Sequence, residues 1–97
     1  MNPPLKVLFF SVLRDIVGEA EVEVALEAVA ASRTGGTGAK PAEVTVGDLL
    51  DYCYREYPGL RVWDGKLLLA VDLDYVDRGA VLRGGAEVAM MPPVQGG

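Results

Sequence analysis

The chain's 97 residues, 51% of them hydrophobic, bound the protein to one domain with a single modest core. A net charge of −5 argues against a nucleic-acid partner, since phosphate contacts need clustered Lys and Arg, and favours a partner with a basic surface. With no histidine and a single cysteine, the chain cannot build a Ser-His-Asp triad, a histidine metal site or a disulfide framework, and the lone thiol suits a reducing cytosol.

Residues 5–11 form an apolar run that includes Phe9 and Phe10, the pattern of a strand buried on one or both faces. Residues 13–18 turn the chain, with Gly18 placed to end a short helical turn. Residues 21–27 then alternate, with Val22, Val24 and Leu26 on one side and Glu21, Glu23 and Glu27 on the other. That pattern predicts a strand with one wet face, hairpinned to the first. Residues 28–43 hold a Ser-Arg-Thr-Gly-Gly-Thr-Gly segment and Pro41, and read as a mobile surface loop. Gly35-Gly36-Thr37-Gly38 lacks the Lys-Ser/Thr ending of a phosphate-binding loop.

Thr45 and Asp48 carry the spacing of a capping box, and Val46, Leu49, Leu50, Cys53 and Tyr57 follow at helical spacing until Pro58-Gly59. Cys53 falls on that apolar stripe, where an inert buried thiol is expected in place of a nucleophile or sulfur carrier. After a turn at Asp64-Gly65, residues 66–71 predict an apolar strand. Asp72-Leu73-Asp74 predicts a turn, Tyr75-Val76 a short strand, and Gly84-Gly85 introduces a last strand over residues 87–91. The order β-β-α-β-(β)-β predicts an α+β fold of the β-grasp, ubiquitin-like kind. Residues 1–97 would form one domain, a mixed sheet of four to five strands with one main helix across one face.

One helix covers one face, yet Phe9-Phe10 and Met90-Met91 each send apolar side chains to both faces. A loop of the chain or a docking partner must cover the second face. Its position beside the strand that launches the C-terminus favours the partner. Pro92-Pro93 stiffens the exit, and residues 93–97 read as a flexible tail. Gly96-Gly97 adds nothing to a core but leaves a carboxylate on a thread thin enough for a narrow slot. Residues 94–97 reach ~13 Å when extended. No apolar run approaches membrane-spanning length, and no signal segment stands ahead of the first strand, so a cytoplasmic protein is expected.

Lys6-Val7-Leu8-Phe9-Phe10, Thr45-Val46-Gly47-Asp48-Leu49-Leu50, Asp64-Gly65-Lys66-Leu67-Leu68-Leu69-Ala70-Val71 and Glu87-Val88-Ala89-Met90-Met91-Pro92-Pro93-Val94-Gln95-Gly96-Gly97 together resemble the small subunit of molybdopterin synthase. That subunit is one of a group of ubiquitin-like sulfur carriers. The resemblance implies that an E1-like enzyme uses ATP to adenylate the Gly97 carboxylate, which becomes a thiocarboxylate. The large synthase subunit then takes the tail, and sulfur passes to a pyranopterin precursor. No cofactor would be bound stably by the chain itself, which would act as a group carrier and not as an enzyme on its own.

The resemblance also implies that Gly96 and Gly97 carry the chemistry. Phe10, Tyr75 and Met91, with Pro92, Pro93 and Val94, would bind the partner. The loop at 28–43 is longer than the family pattern, and Asp72 stands where Asn is common. A thiazole-pathway sulfur carrier, a ubiquitin-like protein modifier, and a β-grasp interaction module without tail chemistry remain alternatives.

Overall fold

The computed structural model describes residues 3–32 and 44–93. Five strands, β1 (Leu5–Phe9), β2 (Glu21–Val24), β3 (Leu68–Val71), β4 (Asp74–Tyr75) and β5 (Glu87–Met91), form one sheet in the order β2-β1-β5-β3-β4. The central pair, β1 and β5, is parallel, with Phe9 opposite Met90. The other pairings are antiparallel, so the sheet is mixed. This is the β-grasp architecture that the order of elements predicts.

Alternation along β1 sends Leu5, Val7 and Phe9 inward, and the registers bring Val24, Val88, Met90 and Leu69 onto the same buried face. Helix α3 (Val46–Glu56) supplies the other half of the core through Val46, Leu49, Leu50, Cys53 and Tyr54. Two shorter helices, α1 (Val12–Val17) and α2 (Leu26–Ser32), and a 3-10 helix over Pro58–Trp63 add Leu13, Leu26, Val29 and Leu60 to the same cluster. Gly18 ends α1 with φ 89°, its N–H donating to the Arg14 carbonyl at 2.8 Å. A left-handed residue of this kind is the usual way to close a helix.

Helix α2 corrects the sequence reading, in which a strand ran to residue 27 and a mobile loop followed over 28–43. The alternation holds only to Val24. From Leu26 the buried positions are Leu26 and Val29, with Ala30 packed against the core, which is helical spacing. Alanines at 28, 30 and 31 favour helix strongly. Arg55 of α3 donates to the Ser32 carbonyl and ties the end of α2 to the main helix. The rest of the expected loop, residues 33–43, lies outside the described residues. Pro58-Gly59, expected as a helix stop, also opens the 3-10 helix, with Pro58 at its first position, where a missing N–H costs nothing.

The start of α3 is fully partnered. Val46 and Gly47 donate their N–H groups to the carbonyls of Ala80 and Arg78, both at 2.9 Å, while Asp48 N–H donates to Thr45 Oγ1 at 3.2 Å. Thr45 N–H returns a bond to Asp48 Oδ2 at 3.0 Å, completing the capping box. These donors would otherwise be orphans of the first turn. Thr45→Ala should therefore lower stability by ~0.5–2 kcal/mol. In a thermal melt that is a fall of roughly 4–8 °C per kcal/mol, with the fold retained. An unchanged melting temperature would show that backbone partners alone fix the helix start.

Candidate functional site

The registers divide the sheet into two faces. Opposite the helices lie Lys6 and Leu8 of β1, Glu21 and Glu23 of β2, Leu68 and Ala70 of β3, Tyr75 of β4, and Glu87, Ala89 and Met91 of β5. This outer face is graded. Lys6 sits between Glu23 and Glu87 at one end, while Leu8, Ala89, Ala70, Leu68 and Met91 form an apolar field toward the other. Phe10 follows β1 directly and is 40% exposed, whereas its neighbour Phe9 is 1% exposed. Met91 is half-buried and Met90 is buried. Tyr75 lies opposite Ala70 and is 74% exposed.

Two local devices set this geometry. Phe10 N–H donates to the Met90 carbonyl at 3.2 Å, extending the β1–β5 ladder by one residue. Ser11 then turns with φ 58° and ψ −131°, a conformation that glycine fills more readily, and Leu13 N–H closes the turn on the Phe10 carbonyl at 3.1 Å. Phe10 is thus held at the apolar end of the face, level with the end of β5, from which Pro92 and Pro93 lead away half-buried. Of the residues the sequence marks as partner-binding, Phe10, Tyr75 and Met91 come together on one side of the sheet. Val94, Gly96 and Gly97 lie outside the described residues.

A polar cluster that the sequence did not signal lies on the helix side. Tyr54 Oη donates to Asp64 Oδ1 at 2.9 Å, Arg78 Nη1 donates to the same oxygen at 2.7 Å, and Arg78 Nη2 approaches Asp51 at 3.8 Å. The Arg78 hydrogen bond, aided by that from Tyr54, holds the Asp64 carboxyl below its ordinary range. Burial, and then the bond to Asp64, pushes the Tyr54 phenol up. A cavity of about 280 Å³ opens beside this cluster, walled by Leu50, Leu67, Leu69 and Val76. Its polar groups bond to one another, tying α3 to the segment before β3 and the crossover after β4.

Cys53 is buried in the core, and desolvation, with a smaller contribution from Glu56, pushes its thiol up to about 12. The thiolate is the reactive form, so the folded protein holds this sulfur inert near neutral pH. Iodoacetamide should label Cys53 slowly in the native protein and readily after denaturation, with intact mass as the readout. Labelling at the denatured rate would place the thiol outside the core.

The two adjacent phenylalanines make a sharper comparison. Phe9→Ala should cost ~3–5 kcal/mol. Phe10→Ala should cost roughly 1 kcal/mol or less, because its side chain is far less buried. Urea melts of both variants measure the difference, and comparable losses would make Phe10 a core residue.

The sequence matches the ThiS family over residues 36–97. Solved structures share the fold over nearly the full length of both chains. Small archaeal modifier protein 1 from H. volcanii is 21% identical, with 95% of this chain and 99% of that chain covered and a TM-score of 0.71. Urm1 from Trypanosoma brucei is 15% identical, with 99% and 97% covered and a TM-score of 0.61. A chain in the complex of subunits 1 and 2 of the molybdopterin-converting factor from Helicobacter pylori is 21% identical, with 97% and 99% covered and a TM-score of 0.57. With the family matched over most of its length and the β-grasp sheet in place, the chain belongs to the ThiS family of small, ubiquitin-like sulfur carriers.

Proposed function

We propose that this chain is the sulfur-donating small subunit of a molybdopterin synthase. The observation that carries the reading is the meeting of two features at one end of one strand. The apolar end of the outer face lies where β5 finishes, and the sequence Pro92-Pro93-Val94-Gln95-Gly96-Gly97 continues from that strand. The Helicobacter pylori relative occurs in a complex with a second subunit, which supports a large-subunit partner here.

In this reading an E1-like enzyme joins the Gly97 carboxylate to AMP from ATP and releases pyrophosphate. A sulfide equivalent displaces AMP and leaves a thiocarboxylate. The large subunit binds the outer face through Phe10, Tyr75 and Met91, and Pro92, Pro93 and Val94 lead the tail into its active site. The thiocarboxylate sulfur bonds to a pyranopterin precursor. Water then cleaves the bond between that sulfur and the Gly97 carbonyl, and Gly97 returns to a carboxylate. A carboxylate is a poor electrophile until it carries a good leaving group, which is why ATP is consumed first. The thiocarboxylate formed is a soft nucleophile on a narrow arm. The catalytic groups belong to the partners, and the chain contributes a handle and an address. These steps take place in the cytoplasm, the compartment that a lone reduced cysteine suits.

A second reading has its own support, because the similar structures include a small archaeal modifier and Urm1. In that reading the activated Gly97 is joined to lysines of other proteins. Both readings need the tail, and they differ in what accepts it.

Deleting Gly97 should abolish adenylate formation and sulfur transfer, while the melting temperature moves by no more than about 1 °C, because terminal residues make few stabilising contacts. Reconstitution with an activating enzyme, a sulfide source and a candidate large subunit measures this, with thiocarboxylate read as intact mass. Sulfur transfer by the shortened chain at the normal rate would refute the tail mechanism. Lysine-linked conjugates in place of a sulfurated pterin would decide for the modifier.

A further inference from the structure

The turn between β3 and β4 breaks two rules at one residue. Val71 pairs with Asp74, so Asp72 and Leu73 are its two central residues, with φ of 50° and 76°. That is the pattern of a type I′ turn, which ordinarily takes Asn-Gly or Asp-Gly. Asp72 suits its place. Its short polar side chain tolerates the left-handed region, and its Oδ1 accepts the Glu87 N–H at 3.0 Å while its own N–H donates to the Glu87 carbonyl at 2.8 Å. Leu73 does not suit its place. A Cβ is crowded in this conformation, and the side chain is 89% exposed, more than any other large apolar residue among those described. Packing returns almost nothing for either cost. Local rules broken without a structural gain point to a role outside the fold.

We propose that Leu73 is a second anchor for the protein that accepts sulfur from the tail, seated at the opposite end of the docking face from the tail exit. This rests on the function proposed above. The dimensions let one partner span both ends. β3 pairs Leu68 with Met91 at the tail end and Val71 with Val88 at the turn end, so the two anchors are separated by about the length of β5. Five residues of strand measure ~16 Å. A partner whose reacting centre lies within ~13 Å of Pro93 must sit over the tail end. A standard patch of ~800 Å², roughly 30 Å across, is wide enough to cover the turn as well.

Tyr75, on the outer face opposite Ala70, lies between Phe10 and Leu73 along the strands. Asp72 and Asp74 flank Leu73, and both are exposed. The matching surface is therefore an apolar pocket rimmed by Lys or Arg.

The test titrates the full-length chain into the large synthase subunit from the same organism, by calorimetry. Three variants are compared: Leu73→Asn, Leu73→Met and Phe10→Ala. Asparagine accepts the left-handed conformation, so Leu73→Asn should raise the melting temperature by a few degrees, yet weaken binding by roughly tenfold or more. Leu73→Met keeps the apolar reach and should bind nearly as well as the unaltered chain.

Leu73→Asn binding at full strength while Phe10→Ala binds weakly would overturn the second anchor and leave the docking face standing. Full-strength binding by both Leu73→Asn and Phe10→Ala would bring down the docking reading itself. A lower melting temperature for Leu73→Asn would show that the leucine packs within the fold, against the proposal. Loss of self-association in sedimentation, with partner affinity intact, would make the occupant a second copy of this chain and overturn it too.

Discussion

β1 and β5 run parallel in the middle of the sheet with Phe9 opposite Met90, and this register decides the fate of four large side chains. Side chains alternate along a strand, so fixing Phe9 and Met90 in the core commits the next residue of each strand to the opposite side. Phe9 and Met90 lie at 1% and 0% exposure inside, while Phe10 is exposed and Met91 half-buried on or beside the outer face. A slip of one residue would exchange the pairs and lose the core. The core and the outer face are thus specified by the same hydrogen bonds.

The parallel sense of that pair has a second consequence. Parallel neighbours cannot be joined by a tight turn, so the chain must leave the sheet and cross over before returning as β5. The segment from β2 to β5 makes that crossing, and α3 covers the inner face on the way. Parallelism also brings the ends of the two strands to the same edge. Phe10, just past β1, and Pro92, just past β5, therefore leave the sheet side by side. An antiparallel pair would have placed them at opposite ends. The topology itself sets Pro92 and Pro93 beside Phe10.

The readable elements were those in which pattern and punctuation agreed. α3 carries its capping box, its stripe and its stop in the sequence, and the structure places the helix between Thr45 and Tyr57 accordingly. The two-faced pairs Phe9-Phe10 and Met90-Met91 announced an apolar second face, because no single layer of helices can cover both sides of a sheet. The segment after Val24 was harder to read. Leu26 satisfies the alternation of the preceding strand and also begins the helical spacing Leu26, Val29, Ala30, so two periods overlap at one residue. The Ala-rich composition of residues 25–31 was the signal that separates them.

The Tyr54–Asp64–Arg78 cluster left no trace in the sequence because its members stand ten and fourteen positions from the shared carboxylate. Only the packing of α3 against the segments around β3 and β4 brings them together. The strained leucine was hidden for a different reason. The sequence predicts a turn over Asp72-Leu73-Asp74 and a strand over Tyr75-Val76. The turn is instead Asp72-Leu73 and the strand Asp74–Tyr75, one residue earlier, because Asp74 pairs with Val71.

Two groups that could carry side-chain reactivity, Cys53 and Asp64, are engaged by the fold. The one thiol is held uncharged in the core by its surroundings. The shifted carboxylate, Asp64, is occupied by a phenol and a guanidinium that fasten α3 in place. Sulfur carried on Cys53 would have to be buried and protonated to fit the fold, then exposed and ionised to react, and each turnover would open the core. A terminal main-chain carboxylate separates those demands. On the proposed function, it changes from oxygen to sulfur while the sheet presents the same outer face in either state. In that reading the partner recognises the fold and reads the cargo only at the tip. On the proposed function, this division of labour accounts for a domain whose information lies in a surface and an exit point, with the reacting atoms beyond them.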